Sequence, residues 1–237
     1  MAKLRLKITK GNPIRYVSHL DFAGTIERVV RRANLPVAYS EGFNPHMKLA
    51  FASALAVGVT SEAEYLDLEL TEEPEIAWLQ AQIIPQLPAG IELKAAKYVN
   101  QPSKALMALV NLATYEIVVP LLAAGAGDST IEKSLQNFNS EIEVIYTKQT
   151  PKGRREIDIK EYLAEPVMVK SLQDNPRQIT ISLSIKIMPN GSVKPVEVLA
   201  ALIESFGLPV DKDAALIHRS GLFVADGNIR RSPIDLQ

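Results

Sequence analysis

The segment KLRLKI, Lys3 to Ile8, sets basic residues against aliphatic ones in strict alternation. Lys3, Arg5 and Lys7 fall on one side and Leu4, Leu6 and Ile8 on the other, the period of a half-buried strand. A second alternating run, EYLDLEL from Glu64 to Leu70, has the matching form with acids in place of bases. If the two strands are antiparallel neighbours, Lys3, Arg5 and Lys7 lie on the face that also carries Tyr65, Asp67 and Glu69, opposite them. Opposite charges across strands contribute roughly 0.2–1 kcal/mol per pair.

Between the two strands the chain turns at Gly11-Asn12-Pro13. Ser18-His19-Leu20-Asp21 then has the form of a capping box. Phe22, Ile26, Val29, Val30 and Ala33 follow at helical spacing, with Glu27, Arg28, Arg31 and Arg32 on the other face, until Asn34-Leu35-Pro36 ends the run. Residues 36–40 read as a short strand, 41–48 as a loop, and 49–59 as a strand and turn. After the 64–70 strand, 73–87 reads as a helix and 91–99 as a strand. The order is β-α-β-β-α-β, the ferredoxin-like unit.

QPSK at 101–104 reads as a linker, after which the order recurs. Strands are predicted at 112–120, 143–148, 178–187 and 215–224, with helices at 129–139 and 195–206. A basic turn, PKGRR at 151–155, leads into EIDIKEYL. The predicted fold is α+β, two tandem ferredoxin-like domains over 1–105 and 106–237. In such units helices cover one face of the sheet and the other is expected to be open.

Composition limits the function classes. The 237 residues are 47% hydrophobic and 22% charged, as in an ordinary globular protein. No apolar run approaches the ~18–20 residues of a membrane span, and the MAKLRLKITK start is not a signal peptide. The expected location is cytoplasmic. With no cysteine, this chain supplies no disulfide, zinc thiolate or cysteine-ligated iron–sulfur cluster. The three histidines, His19, His46 and His218, show no ligand spacing, so no metal is expected. Net charge is −1, yet residues 1–50 carry nine bases and three acids, and residues 51–100 carry two bases and eight acids. Pairing between the two strands explains part of this polarity. It leaves Arg15, Arg28, Arg31, Arg32 and Lys48 unexplained.

YSEGFNPHMK at 39–48 is the second polar cluster. Gly42, Asn44 and Pro45 are turn chemistry. Tyr39, Phe43, His46 and Lys48 are either anchors or an aromatic and basic surface suited to single-stranded RNA. His19, in a first helical turn, is favoured as a neutral ring by the helix dipole, a possible base or hydrogen-bonding contact. Arg28 and Arg32 are like charges at i,i+4, which weakens a helix slightly unless an anion bridges them.

GNPIRYVSHLD (11–21), ERVVRRANLPVAYSEGFNPHMKLAFASALAVGVTSEAEYLDLEL (27–70), EIDIKEYL (156–163) and SVKPVEVL (192–199) together resemble the radical SAM-linked protein family. Its members are fused to radical SAM proteins or encoded beside them. The resemblance implies a radical SAM protein as partner. That partner would carry the iron–sulfur cluster and S-adenosylmethionine, since this chain has no CxxxCxxC. A histidine after the first strand of tandem ferredoxin-like domains also resembles the CRISPR repeat-processing endoribonucleases. Their glycine-rich loop is replaced here by the widely spaced Gly207, Gly221 and Gly227.

The expected function is thus a non-catalytic accessory protein of a radical SAM enzyme, binding RNA or presenting a substrate. The alternatives are a metal-independent RNA-cleaving or RNA-modifying enzyme using His19 or His46, and a purely protein-binding adaptor. The expected ligand-binding residues are Arg15, His19, Arg28, Arg32, Tyr39, Phe43, Asn44, His46 and Lys48.

Overall fold

A computed structural model describes residues 1–100, 102–122, 128–150, 153–171, 175 and 177–236. The protein is α+β. It divides into two compact units, residues 1–111 with 221–237, and residues 112–220. The division differs from a single boundary near residue 105, because the last segment of the chain belongs with the first.

The first unit runs β1 (Ala2–Lys10), α1 (His19–Arg32), β2 (Leu49–Phe51), β3 (Val59–Leu70), α2 (Ile76–Ile83), β4 (Leu93–Tyr98) and the single turn α3 (Leu106–Leu109). Its strands lie in the order β4-β1-β3-β2, each pair antiparallel. β1 and β3 are the antiparallel neighbours that the charge pattern predicts, and their register sets Lys3 opposite Glu69, Arg5 opposite Asp67 and Lys7 opposite Tyr65. Leu4, Leu6, Ile8, Leu66, Leu68 and Leu70 then all face the helices. There they form one core with Phe22, Ile26, Val29 and Val30 of α1 and Leu79 and Ile83 of α2.

Both ends of α1 are closed by local chemistry. The Ser18 hydroxyl oxygen accepts from the Asp21 amide and donates to the Asp21 carboxylate at 2.6 Å. At the other end Asn34 takes φ +50°, and the Leu35 amide reaches back to the Val30 carbonyl. Only small polar residues and glycine adopt that backbone readily, which is why the helix stops at ANLP. The second helical segment is shorter than predicted. Pro85 removes an amide, so α2 gives way at Ile84 to a single 3₁₀ turn. The strand predicted at 36–40 is reduced to isolated bridges, Val37 to Leu70 and Tyr39 to Met47.

The face opposite the helices is not open. Arg5 is 1% exposed, and Tyr65 and Asp67 are also buried. Arg5 grips Asp67 in a bidentate pair, Nε to Oδ1 at 2.7 Å and Nη2 to Oδ2 at 2.9 Å. Its Nη1 donates to the Pro233 carbonyl at 2.8 Å. The Tyr65 hydroxyl bonds Ser232 at 2.8 Å, and Lys3 Nζ donates to Ser103 Oγ at 2.9 Å. Two short segments, around Ser103 and around Pro233, therefore cover this face.

The second unit continues with β5 (Leu112–Pro120), α4 (Asp128–Ser140), β6 (Ile145–Thr150), β7 (Gly153–Asp158), the turn α5 (Ile159–Tyr162), β8 (Met168–Ser171), β9 (Gln178–Lys186), α6 (Pro195–Glu204) and β10 (Leu216–Asp226). β10 begins in this unit and ends in the first, where it pairs with β11 (Ile229–Arg231). Here the strand order is β10-β5-β9-β8. The strand expected beside β9 was 143–148. That segment instead forms a separate hairpin, β6 with β7, and Met168–Ser171 takes the position. Within the basic turn predicted at 151–155, Pro151 and Lys152 lie outside the described residues; Gln101 of the predicted linker does too. The core gathers Ile117, Val119, Phe138, Ile181, Leu183, Val198 and Leu202 around α4 and α6.

Removing one partner of a buried ion pair costs about 3–5 kcal/mol, and replacing both by apolar groups costs far less. Asp67→Ala is therefore expected to lower the unfolding free energy by about that amount, and Arg5→Met with Asp67→Leu to recover most of it. Urea unfolding of the two variants measures the difference.

Candidate functional site

The GNPIRYVSHLD turn is held from beneath. The Gly11 amide donates to the Gly90 carbonyl at 2.7 Å. Gly90 takes φ +90°, and a Cβ there would meet Ile14 Cγ1 at 3.1 Å and Pro13 Cδ at 3.3 Å. Lys10, buried at the end of β1, donates Nζ to the carbonyls of Arg15 (3.0 Å) and Val17 (2.8 Å). The Gly58 amide adds a second donor to the Arg15 carbonyl at 2.9 Å. The backbone of the turn is thereby fixed from three directions.

Beside the exposed Asn12 and Asp21, the turn presents apolar side chains. Tyr16 is 75% exposed, Leu20 82% and Val57 57%. The Tyr16 ring lies over Gly58, within 3.9 Å of where a Cβ would be. Arg15 Cζ stands 5.9 Å from the centre of the Tyr16 ring, a cation–π distance. Arg15 Nε is buried and has no hydrogen-bond partner among the described residues. His19 points the other way, edge-on to Phe51 with ring centres 5.2 Å apart.

The arginines of α1 do not form one cradle. Arg28 Nη2 donates to Thr25 Oγ1 at 3.0 Å. Arg32 is committed to Gln86, donating to its side-chain oxygen at 3.3 Å and to its carbonyl at 2.9 Å. That contact ties α1 to the 3₁₀ turn after α2.

The 39–48 segment is a loop closed on itself. The Ser40 amide donates to the His46 carbonyl at 2.8 Å, and the His46 amide to Ser40 Oγ at 2.9 Å. Gly42 supplies φ +118° at the tip. Phe43 is fully exposed, Asn44 and His46 are exposed, and Tyr39 is 44% exposed. Lys48 pairs with Glu69, Nζ to Oε2 at 3.1 Å. Lys48 thus belongs to the face of β3 turned away from the helices, whereas His19 packs on Phe51, part of the helix-side core. His19 and Lys48, expected on one surface, lie on opposite faces of the sheet.

A cavity of about 410 Å³ opens on that far face. Lys3, Lys48 and Glu69 supply charge to its wall, and Met47, Leu106 and Met107 supply apolar surface. Neither this cavity nor Tyr16 was singled out in the sequence. Lys3 and Glu69 were read only as cross-strand partners. Nothing in the periodicity of ALMAL says that 105–107 folds onto β2.

In the second unit the recurrent motifs are structural locks. Asp158 of EIDIKEYL accepts from the Val144 and Lys160 amides at 2.9 and 3.0 Å. Lys160 Nζ donates to the Phe138 and Asn139 carbonyls at the end of α4, and burial pulls its pKa below the ordinary lysine value. Glu197 of SVKPVEVL accepts from the Lys194 amide at 2.8 Å and pairs with Lys148 Nζ at 2.6 Å. Among the described residues no three His, Asp or Glu side chains are grouped to hold a metal ion. Nor is any described helix long and apolar enough to cross a membrane.

The chain belongs to the family described as "Uncharacterized protein conserved in bacteria (DUF2344)", whose model matches residues 3–195. No functionally curated protein matches it in sequence. Among solved structures it is similar to a Cbf5-Nop10-Gar1 complex, at 13% identity and TM-score 0.47 over 93% of this chain and 47% of that one. A second is an H/ACA RNP bound to a substrate RNA containing 2'-deoxyuridine, at 12% identity and TM-score 0.46, covering 92% and 45%. DyPB from Rhodococcus jostii RHA1 matches at 12% identity and TM-score 0.23, covering 93% and 90%. The chain spans about half the length of the first two. Likenesses this slight carry no argument about activity.

The two glycines under the turn make distinct predictions. Gly90→Ala combines a left-handed backbone, roughly 1–2 kcal/mol for a residue with a Cβ, with contacts at 3.1 and 3.3 Å. Gly11 has φ −84°, so Gly11→Ala faces only the Gly90 carbonyl oxygen at 3.2 Å. Urea denaturation is expected to show the larger loss at Gly90.

Proposed function

We propose that the chain is a non-catalytic accessory protein that docks on a radical SAM enzyme through the surface of Tyr16, Leu20 and Val57. One observation carries the docking reading: a backbone held by Lys10, Gly58 and Gly90 presents three exposed apolar side chains at its rim. A fixed backbone lowers the ordering cost of association, and exposed tyrosine is the kind of residue that dominates interface energies. The radical SAM partner comes from the sequence resemblance. The tandem ferredoxin-like reading of the fold belongs to the same proposal. The strand orders β4-β1-β3-β2 and β10-β5-β9-β8, each with two crossing helices, support it.

Binding of single-stranded RNA is the second reading, favoured by Phe43, which projects fully from its loop beside Tyr39. The basic residues lend it less than the sequence suggested. Arg32 bonds Gln86 and Lys48 bonds Glu69, which leaves Arg15 and Arg28 for phosphates.

Co-purification of the tagged chain with the radical SAM protein of the same cell separates these readings. Tyr16→Ser with Leu20→Ser is expected to weaken partner capture at least thirtyfold, as loss of a hot spot of about 2 kcal/mol would, with the urea midpoint unchanged. Full capture by that variant would exclude this docking face. RNA affinity with a log–log salt slope of about −1.4, as two phosphate contacts on a single strand would give, lost in Phe43→Ser and retained in the Tyr16 variant, would instead favour the RNA reading.

A further inference from the structure

The cavity on the far face of the first sheet carries an excess of positive charge that the protein does not neutralise. Asp67 at its wall is held bidentately by the buried Arg5. Glu69 is held by Lys48 at 3.1 Å. Among the described residues Lys3 Nζ bonds a single group, the Ser103 hydroxyl at 2.9 Å. An ammonium group has three donors, so two of them remain for another acceptor. The rest of the wall is apolar, including Met47, Leu106 and the exposed Ala50 of β2. Met107, 69% exposed, lines the cavity as well. The volume of about 410 Å³ lies within the ~300–1,000 Å³ typical of small-ligand sites.

We infer that this cavity binds a small amphipathic monocarboxylate, with its carboxylate on Lys3 and its hydrocarbon part against Met47, Leu106 and Met107. The charge count selects one negative charge: Arg5, buried behind the wall, neutralises Asp67 and Lys48 pairs with Glu69, which leaves the single positive charge of Lys3. A dianion would set its second charge against Glu69. A cation would meet Lys3 in a partly dry site, where like charges are costly. The inference is independent of the docking surface, since Tyr16, Leu20 and Val57 do not line the cavity.

The chain has five methionines, Met1, Met47, Met107, Met168 and Met188. With their methyl carbons labelled, NMR titration of the full chain tests the site using hexanoate, hexanol and hexylammonium as probes. Saturable shifts confined to Met47 and Met107 are expected with hexanoate, at about tenfold higher affinity than with hexylammonium, the value of a charge-assisted hydrogen bond. Lys3→Gln, which keeps a donor for Ser103, is expected to weaken hexanoate about tenfold and leave hexanol unchanged. Ser103→Ala, which keeps the charge, is expected to retain hexanoate. Shifts that never saturate, shifts spread over all five methyls, equal affinity for the two charged probes, or hexanoate binding unaltered in Lys3→Gln would each overturn the assignment. Loss of the docking partner in the Tyr16 variant with hexanoate binding intact would separate this site from the docking face.

Discussion

The fold of the first unit depends on a guanidinium placed in the middle of a sheet. Arg5 sits on the central strand, and it is buried. A buried charge without partners costs several kcal/mol, so the surroundings must satisfy it completely. Asp67 does so from the neighbouring strand and the Pro233 carbonyl from 228 residues further along. Both contacts carry register information. A slip of one residue would flip one strand against the other, turning either Arg5 or Asp67 toward the helices and the three aliphatic side chains of that strand away from them. The contact with Pro233 forms only after the second unit has been traversed by the chain. Closing so long a loop is entropically costly, so this polar cover is expected to form late in folding, after the helix-side core.

The same economy appears at smaller scale under the exposed turn. Lys10, the last residue of β1, is buried and turns its ammonium onto the carbonyls of Arg15 and Val17 in the turn before α1. Gly90 lets a second segment approach closely enough to receive the Gly11 amide. Rigidity there comes from backbone hydrogen bonds to groups distant in sequence. The 40–46 loop is different. Its closures among the described residues are the two hydrogen bonds of Ser40 with His46, within the loop itself. The two polar motifs are therefore mechanically unlike, one a fixed platform and the other a local turn with an exposed Phe43 at its tip.

Much of the fold was legible because it is written in periodicity. Alternation in KLRLKI and EYLDLEL made the two strands antiparallel neighbours with their charged sides on one face, and SHLD gave the start of α1. What was not legible is what closes the polar face. The covering segments are short, irregular and far from β1 in sequence, so no period announces them. The strand beside β9 was misassigned for a related reason: the alternation at 143–148 is real, but it serves a hairpin. For the candidate site, helical spacing placed Arg28 and Arg32 on one face, yet a partner such as Gln86 cannot be inferred from spacing. Tyr16 lay inside a motif whose Ser18, His19 and Asp21 drew the chemical reading, although the side chain the turn exposes is the tyrosine.

The two faces of the first sheet follow from these constraints. Helices α1 and α2 are long enough to bury aliphatic side chains continuously, so the face beneath them is closed and apolar. The opposite face already carried Lys3, Arg5, Asp67 and Glu69 from the alternation, and a helix could not cover it without leaving those charges unpaired. Two short segments cover it instead, each contributing a polar group, Ser103 Oγ or the Pro233 carbonyl, to one charge. Cover made of such pieces does not close completely. The space left over is the 410 Å³ cavity, and its wall inherits both the charges of the strands and the apolar side chains of the covering turn. A ligand bound there would stabilise the folded state over the unfolded one by mass action. Occupancy of the cavity would thereby strengthen the packing of the 103–107 segment on β1 and β2.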